Sequence, residues 1–271
     1  MPERSEASDE VAFEAIREWV TSHLGIRFSQ DQATVLGRRL GLTFGRGTVG
    51  SWEVAERLRR GDPVVVKQVT EAATTNHTYF FREPETLDYF ANEALPRMPP
   101  GEQLRIWSAA ASSGEEAYSI AMVSKKWLGN LGATRMQVLG TDISARQVEL
   151  AERAVYETEA LRSVPPEYAS YFVPHSKAES KVVPALTEMC TFRRMNLTSF
   201  PWPFQKKFHA VFLRNVLYYF EPVLRRVVLE EAFDSTESGG WLFVGLGESM
   251  WGTLSRWTPV GHGIFRKGGA P

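Results

Sequence analysis

The sequence predicts an α/β fold built on a mostly parallel sheet, preceded by a small all-helical domain. Three observations carry this reading. From Leu104 onward, short apolar runs rich in β-formers alternate with helical segments, and such alternation calls for crossover connections. Before Leu104, the first quarter of the chain places apolar residues at spacings of three and four. Over 155–185 the alternation breaks: Pro165, Pro166, Pro174 and Pro184 punctuate YASYFV and KVVPAL. That stretch reads as an insertion, a small hairpin or mini-sheet whose turn is HSKAES.

The elements follow in order. Residues 1–9 are short, polar and without aromatics, and disorder is expected there. Val11, Phe13, Ile16, Trp19, Val20 and Leu24 form one apolar stripe of a first helix, which Gly25 stops. A second helix spans 29–40 with Ser29 as its N-cap. Ser51 caps a third helix that carries Val54, Ala55 and Leu58 inward, and Asp62-Pro63 opens a fourth, Val-rich segment. Then come the strand LRIWSA, a helix over 114–128, the strand MQVLGTD and a helix over 144–154 capped by Ser144. Two further strands, CTFRRMNL and FHAVFLRN, precede a helix over 221–233. Gly239-Gly240 leads into a last strand, WLFVGLG.

Composition excludes several classes. The 271 residues are 43% hydrophobic and 23% charged, enough to bury a full core. Lys+Arg number 31 and Asp+Glu 32, a formal charge of −1, which argues against a general nucleic-acid binder. No uncharged apolar run approaches the roughly 18 residues of a membrane span. The opening MPERSEASDE is not a secretory signal, which needs a basic start and an apolar run. Cys190 is the only cysteine, so a disulfide framework and a Cys-rich zinc site are excluded, and it reads as a small buried hydrophobe in a strand. The five histidines show no metal-ligand spacing, and no metal is expected. A cytoplasmic protein is expected.

Four segments carry residues suited to chemistry. The first is AAASSGEE, 109–116, between a strand and a helix. Small residues let a ligand approach the backbone, and free N–H groups at a helix start face it. With one glycine it is not the dinucleotide fingerprint. It reads equally well as a tight turn with Glu115 and Glu116 favourably placed at a helix N-terminus. The second is Asp142, ending the next strand, where an acid accepts hydrogen bonds from ribose hydroxyls. The competing role is a helix cap, which Ser144 can fill instead. Together the two suggest an adenosine-bearing cofactor without separating nicotinamide from S-adenosylmethionine (SAM).

The third segment is TTNHTYFFREP, 74–84. If it is extended, Asn76 and Thr78 share a face, and Arg82 suits a carboxylate bound through two parallel hydrogen bonds. Taken alone, the segment fits a packing hinge with a surface salt bridge better. The fourth is LRNVLYYF, 213–220, whose Arg214-Asn215 pair at a carboxyl strand end suits a site more than a core. Tyr218 or Tyr219 would aim a hydroxyl at the cleft there, or sit as a core aromatic with a wet tip.

In this order, TTNHTYFFREP, IWSAAASSGEEAYSIAM, VLGTDIS, RMNL and FLRNVLYYFEP resemble the CheR family of SAM-dependent chemotaxis-receptor glutamate methyltransferases. The runs span 74–222, weaker similarity covers nearly the whole chain, and FFRE, SSGEEAYSIAM and RNVLYYF together are highly specific. The resemblance implies a helical domain over 1–75, a connecting segment over 76–103 that contributes to the cofactor site, and a Rossmann-like class I methyltransferase domain over 104–271. A small β-subdomain would be inserted at about 155–187. Asn76, Thr78, Arg82, Glu116, Asp142, Asn196, Leu197, Arg214 and Asn215 would surround the cofactor, Glu115 being the less suited of the two adjacent glutamates. Arg82 and Tyr219 match residues that act beside the reacting methyl group. The implied reaction gives glutamyl methyl esters and S-adenosylhomocysteine (SAH). The implied partner is the cytoplasmic domain of a methyl-accepting chemotaxis receptor, met by a monomer with no nucleic acid and no membrane insertion.

The chain departs from the family pattern in two places. The family's C-terminal strand commonly carries Gly-His-Ser-Glu, where this chain has Gly245-Leu246-Gly247-Glu248-Ser249, so a role for that histidine is absent. Some members grip a receptor's C-terminal pentapeptide with a Gly-containing subdomain loop; HSKAES has no glycine and is short, so independence from such a tether is expected. Residues 31–70 hold Arg38, Arg39, Arg46, Arg57, Arg59, Arg60 and Lys67 against Asp31, Glu53, Glu56 and Asp62, a local +3. That is either a face for an acidic receptor helix or a solvated surface. Other readings stay open: a SAM-binding sensor without transfer, against which the intact RN, GEE and FFR runs argue; a nicotinamide oxidoreductase, which lacks its three-glycine pattern; and a small-molecule methyltransferase, which has no use for a separate helical domain.

Overall fold

The structure, a computed structural model, describes residues 6–45, 51–129, 135–248 and 256–268. It divides into two compact units, residues 1–75 with 219–224 and residues 76–218 with 225–271. The first unit contains α1 (Glu6–Leu24), α2 (Gln30–Phe44), α3 (Ser51–Arg59) and α4 (Pro63–Ala73). The inward face of α1 is Ala12, Ile16, Val20 and Leu24, with Phe13 and Trp19 half-buried beside it. Val11 is 66% exposed and leaves the expected stripe. It stands about 100° of helix rotation from Ala12, which turns it to solvent.

α2 begins as expected. The Ser29 hydroxyl accepts the Gln32 N–H at 3.3 Å while the Gln32 side chain accepts the Ser29 N–H at 2.9 Å, a complete capping box. The helix runs on to Phe44, beyond the expected stop at 40. Asp62 opens α4 by accepting the N–H groups of Val64 (2.9 Å) and Val65 (3.2 Å), with Pro63 at the first helical position. Much of the expected basic face is engaged within the unit. Arg57 pairs with Asp62 at 3.0 Å, and Arg59 and Arg60 bind Glu56 at 3.0 and 2.8 Å. Those hydrogen bonds hold the Glu56 carboxyl down to about 2. Arg39 donates to the carbonyls of Ala72 and Thr74 at the end of α4. Arg46 lies outside the described residues.

The second unit opens with α5 (Pro84–Tyr89), β1 (Leu104–Ala109), α6 (Glu115–Leu128), β2 (Met136–Asp142) and α7 (Ala145–Arg153). The insertion holds β3 (Val155–Glu157), β4 (Phe172–Pro174) and β5 (Glu179–Val182), and α8 (Pro184–Thr187) leaves it. After these come β6 (Cys190–Arg194), β7 (Phe208–Leu213), α9 (Pro222–Asp234, of which residues 222–224 count with the first unit), β8 (Thr236–Val244), β9 (Trp257–Gly261) and β10 (Ile264–Lys267). The main sheet has the order β6-β2-β1-β7-β8-β10-β9. Its first five strands are parallel, and β10 runs antiparallel to both neighbours. No helix among the described residues is long and apolar enough to cross a membrane.

Several boundaries move. FHAVFLRN ends as a strand at Leu213, so Arg214-Asn215 lies just past it, and CTFRRMNL ends at Arg194, leaving Asn196 and Leu197 in the loop. β8 starts at Thr236 and takes in the two glycines expected to precede it. A Cβ on Gly240 would lie 2.6 Å from a Thr236 methyl and 2.9 Å from the Glu237 carbonyl, so the close approach there requires glycine. Cys190 opens β6 half-buried, with its thiol withdrawn from water, which pushes its pKa up.

Both faces of the parallel sheet are covered. Residues alternate along β1, so Ile106 and Trp107 face opposite ways. Trp107 meets Trp202 and Phe204, each at 4.8 Å between ring centroids. On the other face Phe212 stacks on Phe243 at 4.4 Å, and Phe90 meets both rings edge-on. Phe90 comes from the stretch between α5 and β1, so the segment over 76–103 is built into this unit's core. The insertion forms its own antiparallel sheet in the order β3-β5-β4, with HSKAES at the β4–β5 turn.

Candidate active site

From β1 the chain steps to β2 and β6 on one side, then returns to β7 on the other side of β1. The carboxyl ends of β1 and β7 therefore flank the reversal point where such sheets bind ligands. Past β1 the backbone turns through two non-glycine left-handed residues, Ala110 (φ 61) and Ser112 (φ 50), and then Gly114 (φ 96). Left-handed non-glycine residues cost about 1–2 kcal/mol each and persist only where neighbours hold them. Here the Ala111 N–H donates to the Thr141 carbonyl at 2.8 Å, and the Ser112 N–H to Asp142 Oδ2 at 2.8 Å. The Tyr156 hydroxyl donates to the Ser113 carbonyl at 2.7 Å. A Cβ on Gly114 would lie 2.9 Å from the Ala151 Cβ, so the turn closes only on glycine.

Asp142 is 7% exposed and ties two loops together, because its Oδ1 accepts the Ser144 N–H at 2.9 Å. The cap of α7 is Ser144, whose hydroxyl accepts the Gln147 N–H at 3.0 Å. The next loop along is tied to the same place, since the Met195 N–H donates to the Asp142 carbonyl. In that loop Asn196 Oδ1 accepts from the N–H and hydroxyl of Thr198, and the Leu197 carbonyl accepts from the Trp202 indole.

Beyond β7 lies a buried charge network. The Arg214 side chain is 1% exposed and donates to Glu116 Oε2 at 2.8 Å and Glu83 Oε2 at 3.1 Å, as well as to the Arg82 carbonyl. Its Nε has no hydrogen-bond partner among the described residues. Glu116 also accepts the Ser108 hydroxyl at 2.7 Å. Glu83 accepts from the Asn215 amide and from the Leu246 N–H. Burial pushes the Glu83 carboxyl up, yet the Arg214 charge and those donors outweigh it and hold the group below the usual carboxylate range. Glu248 accepts the N–H groups of Gly245, Asn215 and Leu217 at 2.7–2.8 Å, and burial nonetheless raises its pKa. Of the adjacent glutamates, Glu116 reaches Arg214, whereas Glu115 is buried against the Ser113 hydroxyl and its pKa is raised by burial.

The segment ahead of Arg82 alternates. Asn76 and Thr78 are half-buried, while Thr75, His77 and Tyr79 are exposed. Arg82 donates to the His77 carbonyl at 2.9 Å and lies 5.8 Å from the Tyr79 ring centre. Phe81 (φ 56) and Glu83 (φ 54), on either side of it, are both left-handed. The second unit thus joins Arg82, Glu116, Arg214 and Asn215 in one network, and Asp142 with Asn196 through the neighbouring strand ends.

Tyr219 belongs to the helical unit, where its carbonyl accepts the Arg27 N–H at 3.0 Å. The residue lines a groove of about 290 Å³ together with Phe28, Val35, Leu36, Arg39 and Thr75. Tyr218 is 51% exposed. Sequence reasoning missed Glu83 and Glu248. The available signal was that a buried arginine requires acid partners, and Glu83 stands next to a residue already singled out.

Residues 76–262 match a protein-family model described as CheR methyltransferase, SAM binding domain. The chain is 32% identical over 250 residues to the "Chemotaxis protein methyltransferase Cher2" of Pseudomonas putida, covering 88% of this chain and 90% of that one. It is 32% identical over 248 residues to the "Chemotaxis protein methyltransferase 1" of Pseudomonas aeruginosa, with 88% and 90% covered. To the "Chemotaxis protein methyltransferase" of Borreliella burgdorferi it is 31% identical over 193 residues, covering 68% of each.

Proposed function

Because the chain belongs to the CheR methyltransferase family, we propose that it methylates glutamate side chains in the cytoplasmic part of chemotaxis receptors, leaving glutamyl methyl esters and SAH. One observation carries the site assignment: the buried Arg214 holds Glu83 and Glu116 and keeps an Nε that has no partner among the described residues. An interior N–H without an acceptor is costly unless a ligand meets it, and SAM brings a carboxylate. The remaining groups suit SAM as well. Glu116 and Asp142 are acceptors for its ammonium and ribose hydroxyls, and Asn76, Thr78, Asn196, Leu197 and Asn215 supply polar and apolar edges around it.

Bound SAM supplies an electrophilic methyl on a sulfonium sulfur. A glutamate side chain, with an ordinary pKa of about 4.3, arrives ionised and needs no general base. What the protein must add is alignment of the carboxylate and removal of its water. Arg82 holds the carboxylate through its fork of donors. It positions more than it activates, because a tight ion pair dulls the nucleophile. Tyr219 is assigned one orienting hydrogen bond on its match to the family motif alone. The helical unit receives the receptor, and α2 suits a partner helix by exposing Val35, Arg38 and Leu42 at spacings of three and four.

Two expected results test these assignments. Asp142→Ala weakens SAM binding by about tenfold or more, since charge-assisted hydrogen bonds contribute about 1.5–3 kcal/mol. Calorimetry reads it, and unchanged affinity refutes the ribose role. The subdomain turn keeps the Ser176 and His175 N–H groups on the Glu179 carbonyl and has no glycine for a peptide backbone to approach. A receptor fragment shortened by its last five residues is therefore methylated at the same rate as the intact fragment, and a drop in rate refutes tether independence.

A further inference from the structure

We infer that the inserted three-stranded subdomain is part of the transfer machinery, a clamp that holds the Arg82 segment and the cofactor loop in their strained conformations, with Tyr156 as the positioning residue common to both. The inference rests on the methyl-transfer reading above. It starts from the two phenylalanines that precede Arg82. Phe80 is fully buried, with its ring centre 4.8 Å from Tyr156 and 5.2 Å from Phe172, both edge-on. Phe81 lies 4.8 Å from Tyr168. All three of these partners come from the insertion, Tyr156 from β3, Phe172 from β4 and Tyr168 from the turn before it.

The Arg82 segment needs such a hold. Phe81 and Glu83 are left-handed, a conformation that relaxes unless packing fixes it. The cofactor loop has the same need at Ala110 and Ser112. Tyr156 serves both places at once. Its ring packs on Phe80, and its hydroxyl bonds the Ser113 carbonyl at 2.7 Å, close against the turn at Gly114. A phenylalanine would fill the same space in an apolar core. The hydroxyl is deeply buried and its one donated bond goes to the loop, which a packing role alone does not require.

Tyr156→Phe keeps the ring and removes that bond, so it separates the clamp from packing. We expect the SAH dissociation constant, read by calorimetry on the full chain, to rise about tenfold while the thermal midpoint stays close to that of the wild type. Hydrogen exchange followed by mass spectrometry should quicken at residues 110–114. Phe172→Leu, which withdraws the edge contact from Phe80, should quicken exchange at residues 80–83. If Tyr156→Phe binds SAH as the wild type does, or if faster exchange spreads evenly over the sheet, the clamp is refuted while the methyl-transfer reading stands. A wild type that binds no SAH overturns that reading and the clamp with it.

Discussion

Arg82→Ala lowers kcat for methyl transfer by about 10²–10³-fold, the scale on which loss of one positioned electrostatic group acts, while the SAH dissociation constant rises far less. The geometry of the segment supports this split. The guanidinium is half-exposed, so truncating it leaves no hole in a core. It is nonetheless aimed, by its bond to the His77 carbonyl, the Tyr79 ring and the two left-handed residues beside it. A planar fork holds a carboxylate in one orientation, which a lysine ammonium does not, so Arg82→Lys should recover little of the rate. Single-turnover kinetics with SAM and a receptor fragment, beside SAH calorimetry, measure the two effects apart. A variant that methylates at the wild-type rate refutes the role.

Arg214→Ala acts on stability. It leaves Glu83 and Glu116, whose side chains are 17% and 14% exposed, without their cation. Breaking a buried pair from one side costs about 3–5 kcal/mol, which for a unit of this size lowers the melting midpoint by roughly 10 °C. The pH dependence has a definite sign. In the wild type Glu83 titrates below its ordinary range, so its contribution is present above the ordinary carboxylate pKa and is lost as pH falls through the depressed one. Without Arg214 burial prevails, the Glu83 pKa rises, and the carboxyl can take up a proton instead of staying charged. The deficit of the variant therefore narrows as pH falls from 7 toward about 4.3. Thermal melts at several pH values measure this, and a variant that melts with the wild type at pH 7 refutes the network.

What could be read from the sequence was whatever is fixed locally. Ser29, Asp62 and Ser144 announce helix starts because a short side-chain oxygen bonds an N–H two or three residues on. LRIWSA, MQVLGTD and FHAVFL read as strands because parallel strands are covered on both faces and so are almost uniformly apolar. The hairpin β9–β10 did not read so, because Pro259, Gly261 and Gly263 break its pattern. β9 is an edge strand, where a proline costs no ladder bond if its missing N–H faces outward. The first apolar stripe was read one residue out of phase at Val11, since composition does not say which side of a helix meets its neighbours.

Within the hydrogen-bond network, Glu116, Arg214 and Asn215 were singled out from the sequence, but their partners Glu83 and Glu248 were not. Glu83 lies 131 residues from Arg214 and Glu248 lies 33 from Asn215, and no spacing rule reaches across such distances. The net +3 over 31–70 could be counted from the sequence, but not which charges pair: Arg57 with Asp62, and Arg59 and Arg60 with Glu56.

The most direct test is to incubate the protein with methyl-labelled SAM and cytoplasmic fragments of chemotaxis receptors, then treat the labelled protein with mild base. A glutamyl methyl ester releases its label as methanol under those conditions, and the account predicts base-labile label on a receptor fragment. Label that survives base, or no label on any fragment while SAM binding is verified in the same sample, would contradict it.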